Sequence, residues 1–235
     1  MSASDLSVSI IIPTRNEGEN IAPLVAGVAS AATGFDEIIF VDDHSTDGTP
    51  DIIRSLAATH PIRLIEQNSA APGLAAAILT GAAAARGDLL LVMDADLSHP
   101  PERINDLLIP LRAGAADMVI GSRYVAGGST PGWPLWRRML SRVGSGLAYP
   151  LTGVHDSMCG FFAIWRSRLL ELAVPATGFK IAFEVIVRGR PSLRVIEIPI
   201  AFRDRVRGQS KMSFGVAFQF FWRWILAVCR HRLRQ

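Results

Sequence analysis

The chain has 235 residues, of which 49% are apolar and 19% charged, with 24 basic against 21 acidic side chains and a formal charge of +3. That length and apolar content fit one large core-forming domain, or one domain with an appendage, and exclude a disordered chain. Cys159 and Cys229 are its two cysteines. They exclude a disulfide scaffold and, with a polar start that lacks a secretory signal, point to a reduced, cytoplasmic setting.

Residues 8–13 are a continuous apolar run closed by Pro13, as in a buried parallel strand, and residues 20–32 follow with helical character. A second strand, residues 37–41, ends at Asp42 and Asp43, and residues 46–59 form a helix behind a Ser-Thr-Asp-Gly turn. The alternation repeats: a short strand over 63–66, an alanine-rich helix over 73–85, a central strand over 89–93, a helix over 102–113 and a strand over 117–120. This order predicts the α/β class, a mostly parallel sheet flanked by helices and open to ligand at the strand tips. After Gly121 the pattern changes. Glycines and prolines over 127–134 make a flexible loop, and residues 135–149 read as a helix bearing Arg137, Arg138 and Arg142. A return segment over 160–166, helices near Leu169 and over 181–188, and a strand over 194–200 complete the predicted elements, with Pro199 marking a sheet edge.

Residues 1–212 read as one domain and 213–235 as a basic, amphipathic C-terminal helix. From Arg203 onward Asp204 is the sole acid. The apolar run 214–229 is interrupted by Gln219 and Arg223, short of the roughly 20 uninterrupted residues a membrane span needs. Gln219, Arg223 and Arg230 fall on one stripe, with Phe218, Phe221, Trp222, Ile225 and Cys229 opposite. Such a helix lies on something: the protein's own core, an anionic membrane surface, or a small membrane subunit.

Four clusters fall where this fold gathers strand tips. The central strand ends in Asp94-Ala95-Asp96, with Ser98 close behind. Alternate residues of an extended chain point the same way, so both acids can face one spot suited to Mg²⁺ or Mn²⁺ and a nucleotide diphosphate. An isolated D-x-D also serves as a solvated turn with Asp96 or Ser98 capping the next helix, so the other clusters decide. Pro13, Thr14, Arg15, Asn16 and Glu17 follow the first strand and Val41, Asp42 and Asp43 the second. Acids there can accept hydrogen bonds from a ribose or base edge, or serve as ordinary turn and cap residues. The fourth cluster is basic: Arg123, Arg137, Arg138 and the run Arg203, Arg205, Arg207 and Lys211, suited to a second phosphate or to solvated surface charge.

Taken in order, the blocks Ile10-Ile11-Ile12-Pro13, Val41-Asp42-Asp43-His44-Ser45-Thr46-Asp47-Gly48, Asp94-Ala95-Asp96-Leu97-Ser98-His99-Pro100, Gly121-Ser122-Arg123-Tyr124 and Gly208-Gln209-Ser210-Lys211 resemble the inverting family 2 glycosyltransferases of the GT-A (Rossmann-like) fold. Within that family the chain looks like the dolichyl- or polyprenyl-phosphate mannose synthases. The resemblance implies transfer of mannose from GDP-mannose to a polyprenyl phosphate at the inner face of a membrane. It places Pro13, Arg15, Glu17, Val41 and Asp43 around the donor, with Ala95 close to the sugar nucleotide. It assigns Asp94 and Asp96 to metal and diphosphate, with Ser98 beside the metal. Arg123, Arg205 and Lys211 fall to phosphate or the transferring sugar, and Arg137, with Arg123 and Arg205, to the acceptor phosphate. Arg15 stands where many relatives stack an aromatic on the base, and Ser98 where many carry a glutamine.

The same residues admit rivals: a UDP-sugar donor or a glycan acceptor, a phosphoacceptor receiver built on Asp42 and Asp43, or a silent recruitment subunit. The acid pair and the late basic run argue against the last two, and the absence of an RNA or DNA module signature argues against nucleic acid.

Overall fold

The computed structural model describes residues 6–67, 73–172 and 180–204. The predicted C-terminal helix, Arg205 and Lys211 lie outside those residues. β1 (Val8–Thr14), β2 (Glu37–Asp42) and β4 (Leu89–Val92) are enclosed on both faces, as their unbroken apolar runs require. β3 (Ile62–Glu66), β5 (Met118–Ser122), β6 (Phe162–Trp165) and β7 (Val195–Pro199) complete one seven-stranded sheet in the order β3-β2-β1-β4-β6-β5-β7. β6 is antiparallel to both β4 and β5, while the other pairs are parallel. The expected return segment is therefore a strand inserted backwards between two parallel neighbours. Its beginning, not its end, lies at the tips of the parallel strands.

Helices α1 (Gly18–Ala31), α2 (Thr49–Leu56), α3 (Leu74–Ala84), α4 (Ile104–Arg112), α5 (Leu135–Thr152), α6 (Arg166–Leu172) and α7 (Ile181–Gly189) surround the sheet. α3 lies against β1 and β2, and α4 against β4, β5 and β6. The alanine and glycine content of α3 lets it approach closely. A Cβ added at Gly81 would sit 2.7 Å from Ile11 Cγ2 and 3.1 Å from Val41 Cγ2. Since alternate strand residues face opposite ways, Ile10, Ile12 and Phe40 fill the other side.

α2 starts later than the predicted 46 because Asp47 ties two helix starts together. Its Oδ1 accepts the Thr49 N–H at 3.0 Å and its Oδ2 the Gly18 N–H at 3.0 Å. Burial alone would raise the Asp47 carboxyl, but these hydrogen bonds and that of the Thr49 hydroxyl prevail and hold it below its ordinary value. α5 runs past the predicted 149, through Pro150, to Gly153, whose φ of +68° ends it. Pro199 takes the edge position expected of it, on the terminal strand β7.

Candidate functional site

The parallel strands β1, β2 and β4 deliver their tip residues to one end of the sheet. Three non-glycine residues among those described have positive φ, Asn16 at 55°, His44 at 60° and Leu97 at 63°. Each follows one of those strands. Such backbone costs on the order of 1–3 kcal/mol per residue, and its concentration at one end of a sheet marks a functional surface. The turn after β1 is tied to the turn after β2: Asn16 N–H donates to Ser45 Oγ and Thr46 N–H to Asn16 Oδ1, both at 2.8 Å.

Asp43 is buried beside the exposed Arg15, with 3.9 Å between carboxylate and guanidinium, and Asp43 Oδ1 lies 3.0 Å from His44 Nδ1. Glu17 Oε2 accepts the Asn20 side-chain N–H at 2.8 Å. Pro13 and Val41 are register partners on adjacent strands. Both are buried, Val41 completely, and Ala95 nearly so. All three lie at the ends of the strands that carry the acids, with their side chains packed in the core, so what they can offer a donor is main chain.

Asp94 is partly open to solvent, with a third of its side chain exposed, whereas Asp96 is buried. Ser98 was expected beside the metal. It is fully buried, and its main-chain N–H and hydroxyl both donate to Asp96 Oδ1, at 3.1 and 2.6 Å, so it orients that carboxylate from behind. Among the described residues, no three His, Cys, Asp or Glu side chains are gathered as a metal site. Asp94 and Asp96 offer oxygen only, with Asp94 the one open to solvent, and carboxylates are the ligands that suit Mg²⁺ or Mn²⁺ alongside substrate phosphates and water.

The cationic side is built from the loop after β5. Arg123 is 9% exposed and Asp156 is 0% exposed, and they form a bidentate pair: Nε donates to Oδ2 at 2.8 Å and Nη2 to Oδ1 at 2.7 Å. Burial alone would lower the Arg123 pKa, but the Asp156 carboxylate outweighs it and drives the value up, so the charge is permanent. Arg137 pairs with Asp204 at 2.8 Å and stacks over the Trp133 ring at 3.9 Å. Arg123, Arg137 and His99, which touches Asp94, meet one aromatic cluster. Phe202 meets the rings of both His99 and Trp133 with centroids 5.4 Å apart, and Arg123 lies over the Phe202 and Trp133 rings.

Three residues here were not singled out from sequence. His99 is buried and stacks on Phe161. Lys180 donates from Nζ to the Met158 carbonyl at 3.1 Å and lines, with Asp94, Cys159 and Gly160, a cavity of about 60 Å³. Burial pushes its ammonium pKa down, Arg123 adds to the fall and Asp94 opposes it. Burial pushes the Cys159 thiol up to about 12, so it is a protonated wall residue and not a nucleophile.

A helix-flanked, mostly parallel sheet with an acid pair at its tips is the GT-A arrangement. Over residues 9–188 the chain matches the domain described as Glycosyl transferase family 2, and it belongs to that family. It is 37% identical over 220 residues to the dolichol-phosphate mannosyltransferase of Pyrococcus furiosus, covering 92% of this chain but only 62% of that relative's length. It is 40% identical over 215 residues to the polyprenol monophosphomannose synthase of Mycolicibacterium smegmatis, covering 87% of this chain and 80% of that one. A crystal structure of Mycobacterium tuberculosis glucosyl-3-phosphoglycerate synthase with Mn²⁺, UDP-glucose and phosphoglyceric acid superposes with a TM-score of 0.70. At 20% identity over 95% of this chain and 80% of that one, it shares the fold.

Proposed function

We propose that this chain is an inverting glycosyltransferase that moves mannose from GDP-mannose to the phosphate of a polyprenyl lipid. The observation that carries the reading is the joining of Asp94, through His99, to two arginines across one aromatic cluster: a seat for a cation with its diphosphate beside a seat for an incoming anion. The names of the relatives supply the sugar and the lipid class.

In this reading Asp94 and Asp96 hold a divalent cation, Mg²⁺ or Mn²⁺, and Ser98 fixes Asp96 in place. When bound, the metal supplies positive charge against the leaving diphosphate. Arg15, Glu17 and Asp43 surround the nucleoside. Arg123 and Arg137 draw in the lipid phosphate, with Asp156, Asp204 and Trp133 fixing their guanidinium planes. Arg205 and Lys211 are assigned to the same phosphates on the sequence resemblance. A phosphate monoester is already anionic near neutral pH, so its oxygen attacks the anomeric carbon without a general base, and orientation against an anionic donor becomes the task of these cations.

A lipid acceptor also requires a membrane-facing surface. α5 carries Leu135, Trp136, Met139, Leu140, Val143 and Leu147 exposed, together with three arginines and no acid. That face suits peripheral contact with an anionic bilayer and presents Arg137 close to it. Among the described residues no helix is long and apolar enough to cross a membrane.

The test is a donor screen on the full chain with a short polyprenyl phosphate, Mn²⁺ or Mg²⁺, and radiolabelled GDP-mannose, UDP-glucose or UDP-N-acetylglucosamine. Mannosyl transfer from GDP-mannose is expected, abolished by EDTA and by Asp94→Ala with the fold intact. Transfer retained by Asp94→Ala refutes the metal seat, and selective use of a UDP-sugar refutes the donor assignment.

A further inference from the structure

Behind Asp94 sits a buried imidazole. His99 is completely buried, 1% exposed over the whole residue, between Phe161 and Phe202. Its Nδ1 accepts the main-chain N–H of Asp94 at 2.9 Å. An imidazole nitrogen that accepts from an amide carries no proton, so the neutral ring is fixed with its hydrogen on Nε2. That Nε2 is buried with no hydrogen-bond partner, and it lies 3.8 Å from Asp94 Oδ2. The gap is longer than a hydrogen bond, and a buried N–H left unmade is costly.

The surroundings leave the ring one direction in which to act. Phe161 stacks on it at 5.1 Å with planes 15° apart, and Phe202 meets it edge-on. A Cβ added at Gly160 would lie 3.4 Å from both Asp94 carboxylate oxygens and 3.4 Å from His99 Cε1. Gly160 thus leaves the carboxylate free to turn above the imidazole edge. Ser98 already fixes Asp96, so Asp94 is the acid whose direction its own loop leaves open.

We propose that His99 is the positioning residue for Asp94: its Nδ1 pins the main chain of the acid, and its Nε2–H closes onto Oδ2 when a divalent cation and a nucleoside diphosphate engage the other carboxylate oxygen. This rests on the reading of Asp94 and Asp96 as the cation seat. Carboxylate ligands in such seats are themselves held by hydrogen bonds, and loss of those partners costs about 10–100-fold in metal affinity.

Two variants separate the two nitrogens. In His99→Asn the side-chain oxygen replaces Nδ1 and keeps the main-chain bond, but nothing reaches Oδ2. In His99→Gln the amide N–H₂ reaches the place of Nε2. Binding of Mn²⁺ in the presence of GDP, followed on the full-length protein by electron paramagnetic resonance, is expected to weaken about tenfold or more in His99→Asn. It is expected to recover most of that loss in His99→Gln, which restores the donor to Oδ2 but gives up the main-chain bond, even where the melting temperature of that variant is the lower of the two. Equal affinity in all three proteins, or a loss in His99→Gln matching that in His99→Asn, overturns the proposal. Wild-type protein that binds no Mn²⁺ with GDP overturns the cation seat itself. Should neither variant fold, nitrogen NMR of the unaltered protein decides. A ring protonated on Nε2, whose N–H proton moves downfield on addition of Mg²⁺ and GDP, supports the role, and a ring protonated on Nδ1 or an unmoved resonance overturns it.

Discussion

Removing the Asp156 side chain should destabilise this protein strongly. Asp156 accepts three hydrogen bonds from Arg123: Nε at 2.8 Å, Nη2 at 2.7 Å and the main-chain N–H at 2.9 Å. Both residues are buried, so Asp156→Ala leaves a guanidinium charge and a main-chain donor without an acceptor in an enclosed site. Three unmade donors at about 1 kcal/mol or more each give a floor of about 3 kcal/mol, and broken buried ion pairs typically cost about 3–5 kcal/mol. For a chain of this size that corresponds to a melting temperature lower by roughly 6–20 °C. The measurement is urea denaturation followed by tryptophan fluorescence, paired with a thermal melt. Replacing both partners by apolar groups, Arg123→Met with Asp156→Leu, should restore most of the stability because no charge is then left uncompensated. If Arg123 also draws in the acceptor phosphate, the double variant stays inactive while folding normally. A loss of less than about 1 kcal/mol in Asp156→Ala would refute the view of this pair as a buried, mutually dependent unit.

Gly81→Ala should cost about 1–3 kcal/mol, because the new methyl meets Ile11 and Val41 at under and barely over 3 Å, and a thermal melt reads it directly. Glu37 gives a pH test. Burial alone would raise its carboxyl, but hydrogen bonds from Arg63, the Arg86 N–H and Ser9 prevail and hold it below its ordinary 4.5. A carboxyl lowered in the folded state contributes stability above about 4.5, and that contribution is lost as the pH falls through the folded value. Urea midpoints compared between neutral pH and pH near 4 should therefore fall further in the wild type than in Glu37→Gln. On α5, Trp136→Glu with Leu140→Glu should reduce sedimentation with anionic vesicles while leaving the melting temperature within about 2 °C, since both side chains are exposed.

The half of the fold built on β1 to β4 was legible because its signals are local. Apolar runs such as Ile10-Ile11-Ile12 and Leu89-Leu90-Leu91 can only be enclosed strands, and the acids at their ends fall at the strand tips by the geometry of the fold. The D-x-D was equally plain. Periodicity carries neither strand direction nor partnership at a distance, so the antiparallel placement of β6 was not readable, and an arginine partner for Asp156 could be expected without its being identifiable as Arg123, 33 positions away. Pro13, Val41 and Ala95 came to the site through the family resemblance alone, and their burial was not legible in the sequence because it depends on packing, as where α3 approaches Val41. His99 was hidden for another reason. A histidine after an acid pair reads as a turn residue until Phe161 and Phe202, far along the chain, are seen to bury it. Lys180 gave no signal beyond a single charge at the start of a helix.

The backward strand has a consequence for how the molecule is made. A ribosome delivers β1 to β4 first, and those four strands can pair side by side as soon as they emerge. The apolar margin of β4 must then wait, bare, until Phe162 arrives, because no earlier segment of the sheet covers it. Synthesis slowed between these two points would prolong the exposure of that unpaired edge, which is a template for pairing with another chain.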